Sequence, residues 1–282
     1  MSNETTDRKA PPVLRRSATT QSTVPQLSKA GVRVELLHFV GEFVGTFMFL
    51  FMAFAGCQIG GSSVSLTANL ETDGATPPDA SKLLYISFAF GMALAINVWA
   101  WAHVSGAMFN PAVTFALTLT KVVPITRAAH VIVAQLLAGI CAAAVVAGLL
   151  PGASTVSTHL EPTTSIPQGL FLEVFATFQL VIVIFMVAIE RNAEPLLAPF
   201  AIGLALFVSE LGTVFYTGGS LNPARSLGPA VIEGFDGYHW IYWVGPLFGA
   251  GIAAALYSGV KALGFSQTRR DGLDAEEWQA RS

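Results

Sequence analysis

Two stretches decide the fold: residues 105–113 read Ser-Gly-Ala-Met-Phe-Asn-Pro-Ala-Val, and residues 218–226 read Gly-Gly-Ser-Leu-Asn-Pro-Ala-Arg-Ser. Each runs from small residues into Asn-Pro-Ala and then into a segment that can form a short helix. Asn is a good N-cap because its side-chain oxygen accepts a bond from an unpaired backbone N–H. Proline suits the first helical position, where its missing N–H costs nothing.

A single Asn-Pro-Ala box is an ordinary helix start, so the recurrence between long apolar segments is what makes it informative. When the Asn oxygen caps the helix, the NH₂ group of the same side chain remains able to donate hydrogen bonds. The two boxes make six candidate pore residues: Asn110, Pro111, Ala112, Asn222, Pro223 and Ala224.

The rest of the chain is strongly apolar, with 53% hydrophobic and 12% charged residues among 282. Segments of ~20 apolar residues can cross a bilayer as helices. We place six of them near residues 36–60, 83–104, 124–150, 168–190, 197–216 and 239–263. The sequence therefore predicts one integral membrane domain over residues 36–263, a disordered tail over 1–35 and a C-terminal tail over 264–282.

The composition also argues against several functions. The formal net charge is −3 and no basic patch is visible, so we expect no nucleic-acid partner. Cys57 and Cys141 both fall inside apolar spans, which indicates buried hydrophobic residues rather than a disulfide. We find no hydrolase or metalloprotease motif and no Cys/His cluster, and therefore expect no enzymatic activity, no metal and no cofactor.

The order of the segments predicts an inverted repeat. The boxes follow the second and the fifth span, so three crossings separate them and they enter the membrane from opposite faces. The halves are then residues 36–150 and 168–263. Glu42 and Glu173 both lie early in the first span of their half. We expect each carboxylate to hold backbone N–H groups of a re-entrant loop, with a proton relay as the alternative.

Two re-entrant half-helices can together form a pore. A helix of ~10 residues rises ~15 Å, so two placed end to end cover ~30 Å. Irregular backbone at that depth is tolerated only where protein buries it or water reaches it. Both helix N-termini would point at the centre, where their partial positive charge opposes a cation and orients a passing water molecule. The residues thus indicate a passive channel for small uncharged solutes.

The distribution of Lys and Arg predicts the orientation in the membrane. Both tails, the connection containing Lys121 and Arg127, and Arg191 fall on one side, whereas Lys82 stands on the other. Because positive residues are retained inside, we expect both termini in the cytoplasm.

These motifs resemble those of the aquaporin (major intrinsic protein) family, and the resemblance covers roughly residues 36–263. The second box, extended to residues 222–226, is the more diagnostic of the two. The resemblance implies an all-α integral membrane fold of six transmembrane helices and two re-entrant half-helices in an inverted repeat. It also implies a homotetramer in a lipid bilayer, here expected in the plasma membrane, that conducts water.

In that family an aromatic/arginine filter narrows the outer part of the pore, and by position its members here are Phe90, Glu210, Gly219 and Arg225. Glu210 departs from the pattern, since water-selective members usually have His there. Its carboxylate could pair with Arg225, carry a proton, or face away from the pore. Gly219 is small and leaves room for hydrogen peroxide or ammonia.

Other positions resemble the water-conducting members more than the glycerol-conducting ones, namely Ser226, Ala230 and the pair Tyr242 and Trp243. His103 corresponds to a position near the inner pore mouth of the family. Water is therefore the expected solute, and glycerol, hydrogen peroxide or ammonia are the alternatives.

An ion-coupled secondary transporter could share the inverted repeat and the broken helices. It would need intramembrane charges, and Glu42, Glu173 and Glu210 are the candidates. A junction protein with little conduction is a further alternative that the sequence leaves open.

Overall fold

The computed structural model describes residues 29–63, 78–190 and 195–265, and within them the chain is helical without strands. These three ranges contain eight α-helices: α1 (Lys29–Ser62), α2 (Ala80–Ser105), α3 (Pro111–Leu119), α4 (Ile125–Leu149), α5 (Ile166–Ile184), α6 (Ala198–Thr217), α7 (Pro223–Glu233) and α8 (Ile241–Ala262). A π-helical turn, Phe185–Ile189, continues α5, and a 3₁₀ turn, Pro195–Leu197, leads into α6.

In the part of the chain that the structure describes, six helices are long and apolar enough to cross a membrane: α1, α2, α4, α5 with its π-helical turn, α6 and α8. The other two, α3 and α7, have 9 and 11 residues. At ~1.5 Å per residue they cover about half of a bilayer. This matches the predicted fold class of six transmembrane helices and two half-helices.

The packing of the helices repeats between the two halves. In the first half α1 packs against α2 and α4, and in the second half α5 packs against α6 and α8. The half-helices cross over, because α3 packs against α8 and α7 packs against α4. Each half therefore closes around the half-helix of the other, and the inverted repeat is a single packed unit.

The two halves also meet directly where α2 crosses α6. A Cβ atom on Gly91 would lie 2.7 Å from the carbonyl oxygen of Gly203, and one on Gly203 would lie 2.5 Å from that of Gly91. Both distances are too short for a side chain, so glycine at both positions allows the helix backbones to touch. Gly91 and Gly203 are 112 residues apart, as are Asn110 and Asn222, so the crossing obeys the repeat.

The first helix begins earlier than the predicted membrane domain. It starts at Lys29, inside the segment 1–35 that we expected to be a tail. The added turns are anchored to α4, since Arg127 donates to both carboxylate oxygens of Glu35 at 2.8 and 3.0 Å. The remaining parts of the predicted tails, residues 1–28 and 266–282, lie outside the described residues.

Candidate functional site

The half-helices α3 and α7 meet at their N-terminal asparagines. In each, the Asn Oδ1 accepts from the backbone N–H two positions further on, at 2.8 Å for Asn110 and 2.9 Å for Asn222. The Nδ2 of Asn110 donates to the carbonyl of Leu221 at 2.8 Å, and the Nδ2 of Asn222 donates to that of Phe109 at 2.9 Å. An amide nitrogen carries two hydrogens, so each Asn keeps one N–H for another acceptor.

The loops ahead of the two boxes have the same unusual backbone. Three positions in each loop have positive φ, and these positions match between the halves. The φ values are +93, +51 and +51° at Gly106, Ala107 and Phe109, and +78, +62 and +52° at Gly218, Gly219 and Leu221. The left-handed region costs a residue with a side chain about 1–2 kcal/mol, so the surroundings must hold these loops in place.

Glu42 holds the first loop. Its buried carboxylate accepts from the backbone N–H groups of Met108 at 3.0 Å and Phe109 at 2.9 Å. The hydroxyl of Ser105 and the Nε2 of Gln135 each donate to the same carboxylate at 2.8 Å. The two backbone contacts hold the loop directly, while Ser105 at the end of α2 and Gln135 of α4 hold the carboxylate in place.

Glu173 does the same for the second loop. It accepts from the backbone N–H groups of Ser220 at 3.0 Å and Leu221 at 2.8 Å, and from the hydroxyl of Thr217 at 2.7 Å. Our sequence analysis missed the hydroxyls of Ser105 and Thr217. Both stand five residues before the Asn of their box, so an alignment of the two halves would have revealed them.

A cavity of about 250 Å³ runs past the junction of the half-helices. Its lining includes Phe90, Glu210 and Arg225 as well as Ala102 and Ile189. The wall is mostly apolar, and among the described residues its polar side chains are those of Asn110, Glu210, Ser220, Asn222 and Arg225. The cavity therefore offers few hydrogen-bonding groups to a molecule inside it.

His103 does not line this cavity. Its side chain is exposed on the last turn of α2, whereas Ala102 lines the wall. One residue turns an α-helix by ~100°, which is enough to move a side chain off the pore face. A place for His103 near the inner pore mouth stays a prediction.

Arg225 is fixed by three backbone carbonyls. Its Nε donates to Gly219 at 2.8 Å, its Nη1 to Val156 at 2.5 Å and its Nη2 to Gly218 at 3.1 Å. A guanidinium has five N–H donors, and these bonds use three of them. They hold the charge in place beside the cavity.

Two aromatic rings complete the surroundings of this guanidinium. Its central carbon lies 5.0 Å from the ring centroid of Phe90 and 5.4 Å from that of Phe54. Contacts of this kind are favourable cation–π interactions. Phe54 was not among the predicted filter residues, and its helical spacing marks it only as an apolar residue of α1.

The carbonyl of Val156 reaches Arg225 because α1 holds the preceding loop. The side-chain amide of Gln58 donates to the carbonyl of Ala153 at 2.8 Å and accepts from the backbone N–H of Thr155 at 3.0 Å. The thiol of Cys57 donates to the carbonyl of Thr155 at 3.2 Å. No residue type in residues 151–158 signals this contact, since the acceptor is backbone.

Glu210 borders the cavity and is completely buried, and neither of its carboxylate oxygens has a hydrogen-bond partner among the described residues. It forms no ion pair with Arg225 in this part of the chain. Its Oε2 lies where a side chain of Gly219 would be, 1.7 Å from the position of a Cβ atom. Ala107 occupies the matching position of the first loop at φ +51°, so the backbone conformation alone does not explain why residue 219 is glycine. The position of the Glu210 carboxylate explains it, because a Cβ atom at residue 219 would overlap Oε2.

This contact predicts the effect of Gly219→Ala. The φ of +62° would strain alanine by about 1–2 kcal/mol, and its Cβ would displace the Glu210 carboxylate. We expect the midpoint of thermal unfolding in detergent to fall by about 3–8 °C. Adding Glu210→Ala should recover part of this loss. A double variant no more stable than Gly219→Ala would show that the carboxylate is not what the glycine accommodates.

Six spanning helices and two half-helices joined at their asparagine caps define a multi-pass integral membrane protein with a central passage. The sequence profile described as "Major intrinsic protein" matches residues 32–257. The chain belongs to this family, the family of the aquaporin channels, whose members are channels rather than enzymes.

Curated relatives include Aquaporin-2 of Botryotinia fuckeliana, 49% identical over 251 residues, which cover 88% of this chain and 66% of that protein. Probable aquaporin-3 of Gibberella zeae is 46% identical over 232 residues, covering 80% of this chain and 78% of that protein. Some relatives are much longer, and the matched region is 52% of Aquaporin-7 of Botryotinia fuckeliana.

Among solved structures, the aquaglyceroporin of Plasmodium falciparum superposes with a TM-score of 0.67 at 22% identity. The match covers 79% of this chain and 95% of the other. At this identity the likeness establishes the fold, and it confirms the predicted all-α architecture.

Proposed function

We propose that the chain is a passive channel that conducts water down an osmotic gradient and excludes ions and protons. The observation that carries the proposal is the pair of asparagine amides at the junction of α3 and α7, each with one N–H left for a molecule in the passage. A water molecule there accepts from both amides, and its own hydrogens then point away from the centre.

The same geometry supports ion exclusion. The N-termini of α3 and α7 converge on the junction, and each carries about half a positive charge. The guanidinium of Arg225 adds a full charge further along the cavity. A cation would also lose its hydration shell against a mostly apolar wall, at a cost far above thermal energy.

Two residues that resemble those of water-conducting members support the second loop. The hydroxyl of Ser226 donates to that of Ser220 at 2.6 Å, and the hydroxyl of Tyr242 donates to the carbonyl of Thr217 at 2.9 Å. Glu210 and Gly219 are the atypical members of the proposed filter. Glycerol, hydrogen peroxide and ammonia are therefore the alternative solutes. An ion-coupled transporter is less favoured, since Glu42 and Glu173 are fully occupied by loop contacts.

The remaining parts of the proposal concern the setting of the channel. We place it in the plasma membrane with both termini in the cytoplasm, so that Arg225 lies toward the outside. By its family it forms a homotetramer, in which the outer faces of some helices contact neighbouring protomers. Each protomer has its own pore.

Stopped-flow light scattering of proteoliposomes tests this function. We expect osmotic water permeability at least tenfold above that of protein-free vesicles, with a low activation energy and a flux linear in the gradient. Glu161→Gln alters only a carboxylate in an exposed turn and serves as the matched control. Saturable flux driven by a pH gradient would instead support a transporter, and water permeability equal to that of empty vesicles would contradict the proposal.

A further inference from the structure

Gln58 on α1 has a buried side-chain amide that spans the segment ahead of Val156. The residue is only 5% exposed. Its Nε2 donates to the carbonyl of Ala153 at 2.8 Å, and its Oε1 accepts from the backbone N–H of Thr155 at 3.0 Å and from the hydroxyl of Thr155 at 3.2 Å. The amide therefore holds the backbone at residues 153 and 155, and Val156 comes next along the chain.

Other contacts of this segment constrain its backbone less. The hydroxyls of Ser154 and Ser157 donate to the carboxylate of Glu233, but these groups lie at the exposed surface. Water competes for hydrogen bonds there, so their net contribution is small. The buried side chain of Val156 anchors the segment at one point without fixing the direction of its carbonyl. The Gln58 amide is thus a buried polar support on the side from which the chain enters Val156.

The direction of the Val156 carbonyl matters because this oxygen accepts from Nη1 of Arg225. The other two acceptors, the carbonyls of Gly218 and Gly219, belong to the second loop, a few residues ahead of Arg225 itself. Val156 lies 69 residues away and ties the guanidinium to a separate segment. Without this tie the long arginine side chain can swing about its two remaining contacts, because its rotatable bonds give it several alternative conformers.

We propose that Gln58 is a positioning residue for Arg225. It fixes the backbone ahead of Val156, the Val156 carbonyl then holds the guanidinium beside the cavity, and the pore excludes cations as a result. This inference rests on the proposed channel function, in which the charge of Arg225 opposes cations. Gln58 does not line the cavity, so it acts through the carbonyl and not on the solute.

Gln58→Met tests this role, because methionine keeps the length of the side chain and removes its hydrogen bonds. Proteoliposomes report the cation leak through a pH-sensitive dye and through swelling in methylammonium chloride, and water permeability is recorded on the same vesicles. Loss of one hydrogen bond to a charged group raises the weight of a displaced conformer about tenfold or more. We expect the leak to rise about threefold or more, yet less than in Arg225→Ala, because the charge is displaced only part of the time. Water permeability should stay within about twofold of the wild type, since the asparagine junction is untouched.

The double variant Gln58→Met with Arg225→Ala separates positioning from a general loss of structure. A residue that acts through Arg225 has nothing left to act on, so the double variant should leak no more than Arg225→Ala alone. Gln179→Met makes the same replacement at an exposed position of α5 and is the matched control, which should behave as the wild type. Gln58→Leu removes the same hydrogen bonds with a different shape and should leak as Gln58→Met does.

Each other outcome has a distinct meaning. A leak in Gln58→Met equal to that of Gln179→Met would overturn the positioning role. A double variant that leaks more than Arg225→Ala would also overturn it, because Gln58 would then act independently of the guanidinium. Failure of both Gln58 variants to fold would show that the amide supports the fold as a whole, and would overturn a role specific to Arg225. Wild-type vesicles that leak cations as fast as Arg225→Ala would contradict the ion exclusion of the proposed function itself.

Discussion

Replacing Arg225 by alanine should make the pore leak monovalent cations at a rate at least tenfold above the wild type. The substitution removes the guanidinium of Arg225 from the cavity wall and leaves the Glu210 carboxylate there. Proteoliposomes loaded with a pH-sensitive dye measure the proton leak, and swelling in methylammonium chloride measures that of a larger cation.

The expected size follows from the charges. A unit charge about 6 Å from an ion, at an effective dielectric constant of about 20, contributes about 3 kcal/mol. Removal of the Arg225 charge lowers the barrier for a cation by this amount, a factor of about 100. The half-helix N-termini still oppose the cation at the asparagine junction, which is why we set the lower bound at tenfold.

The double variant Arg225→Ala with Glu210→Gln isolates the contribution of the carboxylate. It has the same widened constriction but no negative charge, so we expect most of the cation leak to disappear. Arg225→Lys keeps a positive charge and serves as the control for charge. Equal leaks in the single and the double variant would show that Glu210 does not act on the permeating ion.

The fold was predictable because its signals are local and repeated. Capping by Asn and the preference of Pro for the first helical position fix where α3 and α7 begin. The count of crossings between the boxes gives their opposite entry, and the matched Glu42 and Glu173 mark the first span of each half. These features depend only on residue type and on order along the chain.

The details of the constriction were not predictable for physical reasons. Arg225 is held by backbone carbonyls, including that of Val156, which no residue type announces. The sequence left three possibilities for Glu210, and the choice depends on contacts between α6 and the second loop. His103 is absent from the cavity lining while its neighbour Ala102 is present, because one residue along a helix changes the face it presents.

The start of α1 shows a similar limit. Residues 29–35 belong to the segment expected to be a tail, but α1 includes them, and Glu35 pairs with Arg127 of α4. A partly exposed ion pair is worth about 0–1 kcal/mol, so this contact supports the added turns without accounting for them alone. A periodicity argument cannot include such contacts without knowing which helices are neighbours.

Replacing Glu173 by alanine should destabilise the second half of the protein more than any other single change among its polar residues. The substitution strands the backbone N–H groups of Ser220 and Leu221 in a buried loop. Each unpaired group costs about 1–3 kcal/mol, and Leu221 at φ +52° adds strain that these two hydrogen bonds help to offset in the wild type. We expect the midpoint of thermal unfolding to fall by at least 10 °C.

Loss of the Glu173 carboxylate should also reduce transport, because the carbonyl of Leu221 accepts a hydrogen bond from Asn110 across the junction. A displaced loop misaligns both asparagine amides, so water permeability per folded protomer should fall about tenfold or more. Glu42→Ala tests the symmetry-related loop and should behave alike, because Phe109 accepts from Asn222 in the same way. Glu161→Gln is again the control. Unfolding of Glu173→Ala at the wild-type temperature, with normal water flux, would contradict this prediction. The second loop would then be held by its own packing, and the carboxylate would need a different role. A proton relay is one such role for a charged residue within a membrane span.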